Sequence, residues 1–223
     1  MILRFGTYNV RNTDGGASLR GIAEEIKSLN LDIVGLQEID VGTNRVGGRN
    51  TIAELAVHSD MPFLYFYPSM RFDGGFYGNA VLSRHKIESA HGTVFQTKKY
   101  EKRSILSCTV VLEEIGKEIV VHGTHLSLED GDIRRNQLLW INEYVQGDDF
   151  VILGDFNVNS MDEYSLVEKS ICANNADSPI DTFKSGGAID NIIVSDNLGI
   201  KSVFLSETEF SDHNMLVAEI VIK

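Results

Sequence analysis

The chain has little cysteine, proline or positive charge. Its two cysteines, Cys108 and Cys172, are too few for a disulfide framework, and their apolar neighbours predict free, packed thiols. Only three prolines occur, without a linker, repeat or low-complexity run, so we expect one domain over residues 1–223. The formal net charge of −12 argues against non-specific binding to nucleic acid, which usually needs a basic surface. A divalent cation held by clustered acids would offset part of this charge.

No apolar run approaches the length of a membrane span. The N-terminal stretch "MILRFGTYNV" predicts a strand and not a signal peptide. From these two observations we expect a cytoplasmic protein without a transmembrane segment, and we expect a monomer.

Apolar runs of strand length recur and alternate with stretches of helical spacing, which predicts sheets covered by helices on their outer faces. The stretch "MPFLYFYPSMRF" (residues 61–72) predicts a buried strand and the loop after it. The strands are predicted at Ile2–Val10, Asp32–Glu38, Asn79–Ser83, Ser104–Val111, Glu118–His125, Phe150–Asn157, Ile189–Ser195, Ile200–Ser206 and Met215–Ile222. Four helices are predicted around Ile22, Ile26 and Leu29; Ile52, Leu55 and Ala56; Ile133, Leu138, Ile141 and Val145; and Leu166, Val167 and Ile171, the last with Ser160 or Asp162 as N-cap.

Polar residues end several of these apolar strands. In "FVILGDFNVNS" (residues 150–160), alternation would place Asp155 and Asn157 on the same side as Val151 and Leu153. Taken singly, such residues are more often solvated strand ends, turn residues or core histidines than functional groups. The pattern nevertheless repeats on six segments, and this repetition predicts a site. The other five segments contribute Asn9, Glu38, His125, Asp190 and the pair Asp212-His213.

Carboxylates and amides are hard oxygen ligands that suit magnesium or manganese better than zinc. Magnesium keeps several water molecules and leaves room for a substrate phosphate. Histidines beside such a site can hydrogen-bond or protonate phosphoryl oxygens. The set therefore predicts metal-assisted attack of water on a phosphate ester.

Seven short segments follow one another along the chain: "TYNV", "LQEID", "YGNAVLSR", "GTHL", "GDFN", "AIDNIIVS" and "SDH". In order and spacing they resemble the endonuclease/exonuclease/phosphatase superfamily of deoxyribonuclease-like, metal-dependent phosphoesterases. The resemblance extends from Thr7 to His213. It implies a four-layered α/β sandwich, in which two mainly antiparallel sheets lie face to face with helices outside and the active site lies at one end.

The resemblance also implies roles for the metal-binding and water-activating residues. By similarity, Glu38 is the principal carboxylate ligand of magnesium, with Asn9 beside it. Asp212 resembles a further metal or leaving-group contact, and Asp155 resembles the residue that orients or deprotonates the attacking water.

The remaining roles concern the phosphate. Asn157 resembles a contact to the scissile phosphate, and His125 a second histidine that faces it. His213 resembles the histidine that stabilises charge on the phosphate, with Asp190 holding its ring, which would raise the imidazole pKa. Asn79 matches an active-site amide, whereas Arg84 in the same motif is read as structural.

Departures from the superfamily pattern narrow the function. Abasic-site endonucleases carry an aspartate where this chain has Arg11 and a tyrosine-containing segment where it has "GTHL". "GTHL" is closer to the branch with sphingomyelinases, inositol phosphatases, deadenylases and deoxyribonucleases. Arg45 and Arg49 either bind an anionic substrate or balance local acids, and both readings stay open.

Three functions remain. The first is magnesium-dependent hydrolysis of a phosphate monoester or diester on a small molecule or phospholipid headgroup. The second is a nuclease for DNA or RNA. The negative net charge of the chain disfavours nucleic acid as a partner. The third is an inactive scaffold that binds phosphate or a partner protein. A nuclease would need a local basic rim, for which the candidates are Arg45, Arg49, Arg71, Lys98, Lys99, Lys102, Arg103, Arg134 and Arg135.

Overall fold

The computed structural model describes residues 1–97, 99–145, 147 and 149–223. These residues form twelve strands and three α-helices. The strands are β1 (Ile2–Asn9), β2 (Ile33–Val41), β3 (Phe63–Phe72), β4 (Gly75–Ser83), β5 (Ile87–Val94), β6 (Ser104–Leu112), β7 (Lys117–His125), β8 (Phe150–Asp155), β9 (Ser170–Cys172), β10 (Asp190–Ser195), β11 (Gly199–Ser206) and β12 (Met215–Val221). The helices are α1 (Leu19–Ser28), α2 (Thr51–His58) and α3 (Gly131–Tyr144).

The strands form two six-stranded sheets, in the orders β11-β12-β1-β2-β4-β3 and β5-β6-β7-β8-β10-β9. Each sheet has one parallel pair at its centre, β1 with β2 and β7 with β8. Neighbouring strands elsewhere in both sheets are antiparallel. In each parallel pair the connection contains a helix, α1 or α3, as a parallel crossover requires.

Apolar packing orders the sheets and helices in four layers. One core cluster joins the inner faces of the sheets, for example Phe5 and Ile33 with Val151 and Leu153. Gly35 allows a close approach of the two sheets, because a Cβ there would lie 2.6 Å from Leu153 Cβ. The helices α1 and α2 cover the outer face of the first sheet, and α3 covers that of the second. The chain is thus a four-layered α/β sandwich, as the resemblance implied.

Some predicted elements were wrong or missed. The stretch at residues 61–72 was predicted to be a buried strand followed by a loop. It is instead almost entirely strand, because β3 continues to Phe72, and this strand lies half-exposed at the edge of its sheet. The fourth predicted helix is instead a 3₁₀ turn, Met161–Leu166, with Ser160 Oγ accepting a hydrogen bond from Asp162 N. Strands β5 and β9 were missed, and both pair at the outer part of the second sheet, where weaker burial leaves a weaker sequence pattern.

The cysteines are free, with Cys108 buried and Cys172 half-buried, as predicted. Among the described residues, no helix is long and apolar enough to span a membrane.

Candidate active site

The ends of the central strands surround a cavity of about 500 Å³. The parallel pairing places Asn9 beside Gln37 in one sheet and His125 beside Asp155 in the other. Because the carboxyl ends of both parallel pairs meet here, residues far apart in sequence line one crevice, as is common in α/β folds. Seven predicted site residues line the cavity: Asn9, Glu38, His125, Asp155, Asn157, Asp212 and His213.

A β-bulge directs Glu38 into the cavity. The register between β2 and β4 moves from Leu36 opposite Ala80 to Ile39 opposite Gly78, so β2 carries one extra residue. Glu38 adopts φ 62°, a conformation that a glutamate rarely takes. Bulges and left-handed non-glycine residues concentrate at functional sites, where they turn a side chain out of the ladder.

Asp155 joins the two sheets through hydrogen bonds. Its Oδ2 accepts from Asn9 Nδ2 at 3.0 Å, and the same Asn9 nitrogen donates to Glu38 Oε1 at 3.1 Å. Burial, and then the negative charge of Asp190, raises the pKa of Asp155. Asn9 therefore holds two carboxylates together by donating to both, while its Oδ1 accepts from the Arg11 backbone N–H.

His213 and Asp190 form a hydrogen-bonded pair at the side of the cavity. His213 Nδ1 lies 2.8 Å from Asp190 Oδ2, and Nε2 lies 3.8 Å from Asp155 Oδ2. Asp190 is fully buried behind the ring and does not line the cavity. Burial lowers the pKa of His213, but the carboxylates of Asp190 and Asp155 outweigh it and raise that pKa to about 9. At neutral pH the imidazole is therefore a cation with a fixed orientation.

His125 has the opposite electrostatic environment. Arg103 Nη1 lies 3.1 Å from both of its ring nitrogens, and Asp155 Oδ2 lies 3.3 Å from Nε2. Burial, followed by repulsion from Arg103, lowers the pKa of His125 well below its ordinary value. The ring is therefore neutral, and a proton on Nε2 lets Nδ1 accept from Arg103.

Arg103 and Glu101 are cavity residues that the sequence did not single out. Arg103 Nη1 lies 2.7 Å from Glu101 Oε1, its side chain is 7 % exposed, and its Nε is buried without a partner. The sequence placed Arg103 only among nine basic rim candidates. One feature of the sequence could have indicated Arg103. It immediately precedes β6, whose first residue, Ser104, pairs with the predicted site residue His125.

Two predicted substrate-binding residues lie elsewhere. Asn79 does not line the cavity, because its Nδ2 donates to the backbone oxygen and the hydroxyl of Ser104, which ties the two sheets together. Arg45 is bonded through Nε to the buried Asp40 at 2.8 Å and lies over the ring of Phe72. Arg45 therefore neutralises a nearby carboxylate, which is the second of the two roles considered for it, and is not placed to bind a substrate in this cavity.

Asn157 lines the cavity because of a turn after β8, and not because of alternation along the strand. Strand β8 ends at Asp155, so the alternation predicted through residue 157 was wrong there. Asn157 instead turns with φ 50°, its N–H donates to Asp155 Oδ1, and its Nδ2 donates to Leu126 O at 3.1 Å. Phe156 lies in the apolar cluster under α3. Gly154 packs closely against β7, since a Cβ there would lie 2.8 Å from Thr124 Cγ2.

The family model described as "Endonuclease/Exonuclease/phosphatase family" matches residues 6–213. The chain belongs to this family. Its members are metal-dependent phosphoric ester hydrolases. A stretch of 87 residues, 37% of this chain, is 39% identical to the uncharacterized protein YbhP of Escherichia coli. The match spans about a third of YbhP, 34% of its length.

Two solved structures share the fold of the chain described here. An endonuclease/exonuclease/phosphatase from Beutenbergia cavernae aligns with TM-score 0.80 at 20% identity, over 99% of this chain and 72% of that one. The mannosyl-6-phosphatase Bt3783 of Bacteroides thetaiotaomicron aligns with TM-score 0.72 at 16% identity, over 99% and 100%. At these identities the likeness concerns the fold alone.

The residues of this family member suit a divalent, oxygen-preferring cation. Asp155, Asp190 and His213 bring ligand atoms within 4.8 Å of one another. However, Asp190 is fully buried and already bonded to His213, so we assign these two to each other. Four carboxylates line the cavity, and of these Glu101 is paired with Arg103, which leaves Glu38, Asp155 and Asp212 for a cation. Such oxygen donors fit a hard cation, whereas contact through Asn9 would require its amide to turn.

Several of the candidates for a basic rim of a nuclease are engaged in ion pairs. Arg45, Arg49 and Arg134 are each paired with a carboxylate: Asp40, Glu54 and Glu163, respectively. Arg103 is the one arginine or lysine that lines the cavity in the described part of the chain. Lys98 lies outside the described residues.

Proposed function

We propose that this chain hydrolyses phosphate esters of small molecules or phospholipid headgroups, with magnesium as cofactor and manganese as its substitute. The observation that carries the proposal is the joint placement of Glu38, Asp155, His125 and His213 around one cavity. Carboxylates for a cation and for water, together with two histidines for the phosphate, are the groups that this hydrolysis needs.

Each side chain has a role that its surroundings support. Asp155 orients the attacking water and takes its proton, since burial has raised its pKa towards that of a useful base. His213, charged and held by Asp190, stabilises negative charge on the phosphate. Asn157 gives one amide hydrogen to Leu126 O and has a second for a phosphate oxygen.

His125 and Arg103 act together beside Asp155. Since Arg103 Nε is buried without a partner, a phosphate oxygen placed beside it would satisfy that donor. A bound magnesium ion supplies charge neutralisation at the phosphate, and Glu38 and Asp212 are the residues that would hold it.

The size and charge of the cavity favour a small substrate. Four carboxylates line it, those of Glu38, Glu101, Asp155 and Asp212, against the cations of Arg103 and His213. Within the described residues Arg103 is the one arginine or lysine in the lining, so further phosphates of a polynucleotide that entered the cavity would meet mainly acidic side chains. A cytoplasmic monomer is part of this proposal, because two free cysteines suit a reducing compartment. Size-exclusion chromatography with light scattering would test the oligomeric state.

The test is hydrolysis of bis-p-nitrophenyl phosphate with magnesium, with and without a chelator. We expect Asp155→Asn and His213→Ala to lower kcat/KM by at least about a thousandfold, since each removes a group that acts in the transition state. His58→Ala, at the exposed end of α2, is the matched control. Full activity in either site variant, or activity that survives the chelator, would refute the proposal. Oligonucleotide cleavage that matched the small diester and fell steeply with salt would favour the nuclease.

A further inference from the structure

A second cavity, of about 340 Å³, lies between the end of β5 and one flank of α3. This volume is at the lower end of the range for small-molecule pockets. No charged residue lines it within the described part of the chain. Its walls combine aromatic rings with neutral hydrogen-bonding groups, and the residues used below are Thr93, Phe95, Gln96, Asn136, Gln137 and Trp140.

The aromatic wall of this cavity is rigid. Trp140 stacks on Tyr144 with ring centroids 4.5 Å apart, and Phe95 meets Trp140 at 87° and 5.4 Å. Trp140 nevertheless remains 37% exposed. Large indole surface that is fixed in place but still open to solvent suits the apolar side of a ring-shaped ligand.

Gln137 presents an unused hydrogen-bond donor in the wall. Its residue is 4% exposed, and Oε1 accepts from the Ser127 backbone N–H at 2.9 Å, which fixes the orientation of the amide. Nε2 is buried without a partner. An unsatisfied buried donor destabilises the fold, and a ligand oxygen that accepts from it would remove that cost.

The second cavity is connected to the catalytic cavity through the backbone, although the two have no lining residue in common. Ser127, which holds Gln137, comes two residues after His125, and Phe95 N donates to the backbone oxygen of Arg103 at 2.9 Å. A substrate with its phosphate beside Arg103 and His125 would thus have a neighbouring surface for the group esterified to that phosphate.

We propose that this second cavity binds a sugar ring, so that the substrate is a phosphate ester of a glycosyl group. A pyranose has an apolar face for Trp140 and hydroxyls that both donate and accept. The amides of Gln96, Asn136 and Gln137 and the hydroxyl of Thr93 also donate and accept, and no charge is present to select an ionic ligand. The assignment of the substrate class rests on the proposed function, but binding of the sugar itself needs neither metal nor catalysis.

Trp140 is the single tryptophan of the chain, so its fluorescence reports directly on this cavity. The intact protein would be titrated with methyl glycosides of several hexoses, with adenosine and glycerol as comparisons. We expect a saturable emission change with at least one glycoside. Asn136→Ala should weaken that binding about fivefold through the loss of one hydrogen bond, whereas Leu139→Ala, which lies on the same helix outside the cavity, should not.

A second experiment measures the hydrolysis of phosphorylated substrates in place of the binding of glycosides. We expect Trp140→Ala to lower kcat/KM for hexose phosphates about tenfold relative to kcat/KM for p-nitrophenyl phosphate. No saturable change with any glycoside, a response to adenosine alone, or unchanged substrate preference in Trp140→Ala would overturn the inference. Glycoside binding without phosphate hydrolysis would overturn the proposed function alone, and hydrolysis without glycoside binding would overturn the sugar site alone.

Discussion

At the scale of single residues, two histidines in one cavity have opposite protonation. His213 has Asp190 at 2.8 Å and is a cation at neutral pH, whereas His125 has the guanidinium of Arg103 at 3.1 Å and is neutral. Burial lowers the pKa of both rings, so the neighbouring charge decides the difference. Such separation of pKa values by environment is how one site obtains distinct roles from the same residue type.

Arg103 gives the first prediction at this scale. Arg103→Ala should raise KM or lower kcat for phosphate esters by about 10–100-fold in kcat/KM, since a charge-assisted hydrogen bond is worth about 1.5–3 kcal/mol. Arg103→Lys should recover only part of the loss, because an ammonium lacks the planar fork that reaches His125 and the phosphate together. Steady-state kinetics of all three proteins would measure this.

Arg49→Ala is the matched control for Arg103, because Arg49 is paired with Glu54 on the surface outside the cavity. Equal kinetics of Arg103→Ala and Arg49→Ala would show that Arg103 does not contact the substrate.

At the scale of elements, helix α1 supports the segment that carries Asp212 and His213. Phe210 packs its ring over Gly21, where a Cβ would lie 2.3 Å from Phe210 Cζ. Two residues after Phe210, Asp212 lines the cavity, and Ser211 Oγ donates to Asn9 O at 2.7 Å. The position of His213 therefore depends on a glycine in a helix on the outer face of the sheet.

Gly21→Ala should reduce activity more than stability. Alanine favours the helix by about 1 kcal/mol, which offsets much of the packing lost when Phe210 moves. Displacement of the segment 210–213 should lower kcat/KM about tenfold or more, because small misplacements of catalytic groups are costly. Thermal unfolding and kinetics of this variant would be compared with those of Arg20→Ala, an exposed neighbour in α1. Unchanged kcat/KM in Gly21→Ala would contradict the link between α1 and the site.

At the scale of the whole molecule, both sheets have the same plan, with a parallel pair at the centre and a helix in its crossover. One core cluster contains residues of both sheets. A single domain over residues 1–223 stays a prediction. Beneath α3, the second sheet also buries His122, whose Nδ1 lies 2.8 Å from Ser107 Oγ. Burial lowers the pKa of His122 to about 3.

This buried histidine predicts a loss of stability in mild acid. Between about pH 6.5 and pH 3 the unfolded chain binds a proton at His122 and the folded chain does not, so stability falls as pH falls. The contribution to the slope reaches about 1.4 kcal/mol per pH unit. His122→Gln should flatten the slope, whereas His58→Gln should not, as urea denaturation at several pH values would show. His125, also neutral, leaves a residual slope. Equal slopes in wild type and His122→Gln would refute this prediction.

The sequence by itself determined the family, the order of most strands and the residue types at the strand ends. Alternation and apolar runs report local geometry, so central strands such as β1 and β8 were predicted to within two residues at each end. The motif residues Glu38, Asp155 and His213 were found because short segments carry them. Their catalytic and metal-binding roles stay predictions.

Only the tertiary structure decided which side chains share the cavity. It brought in Arg103, left out Asn79 and Arg45, and turned the nitrogen of Asn9 towards two carboxylates. Each of these outcomes depends on partners between about 5 and 146 positions away in the chain, which local periodicity does not report. The physical reason is that a polar group bonds to whichever partner the packing of the two sheets places beside it, and that packing is a property of the whole fold.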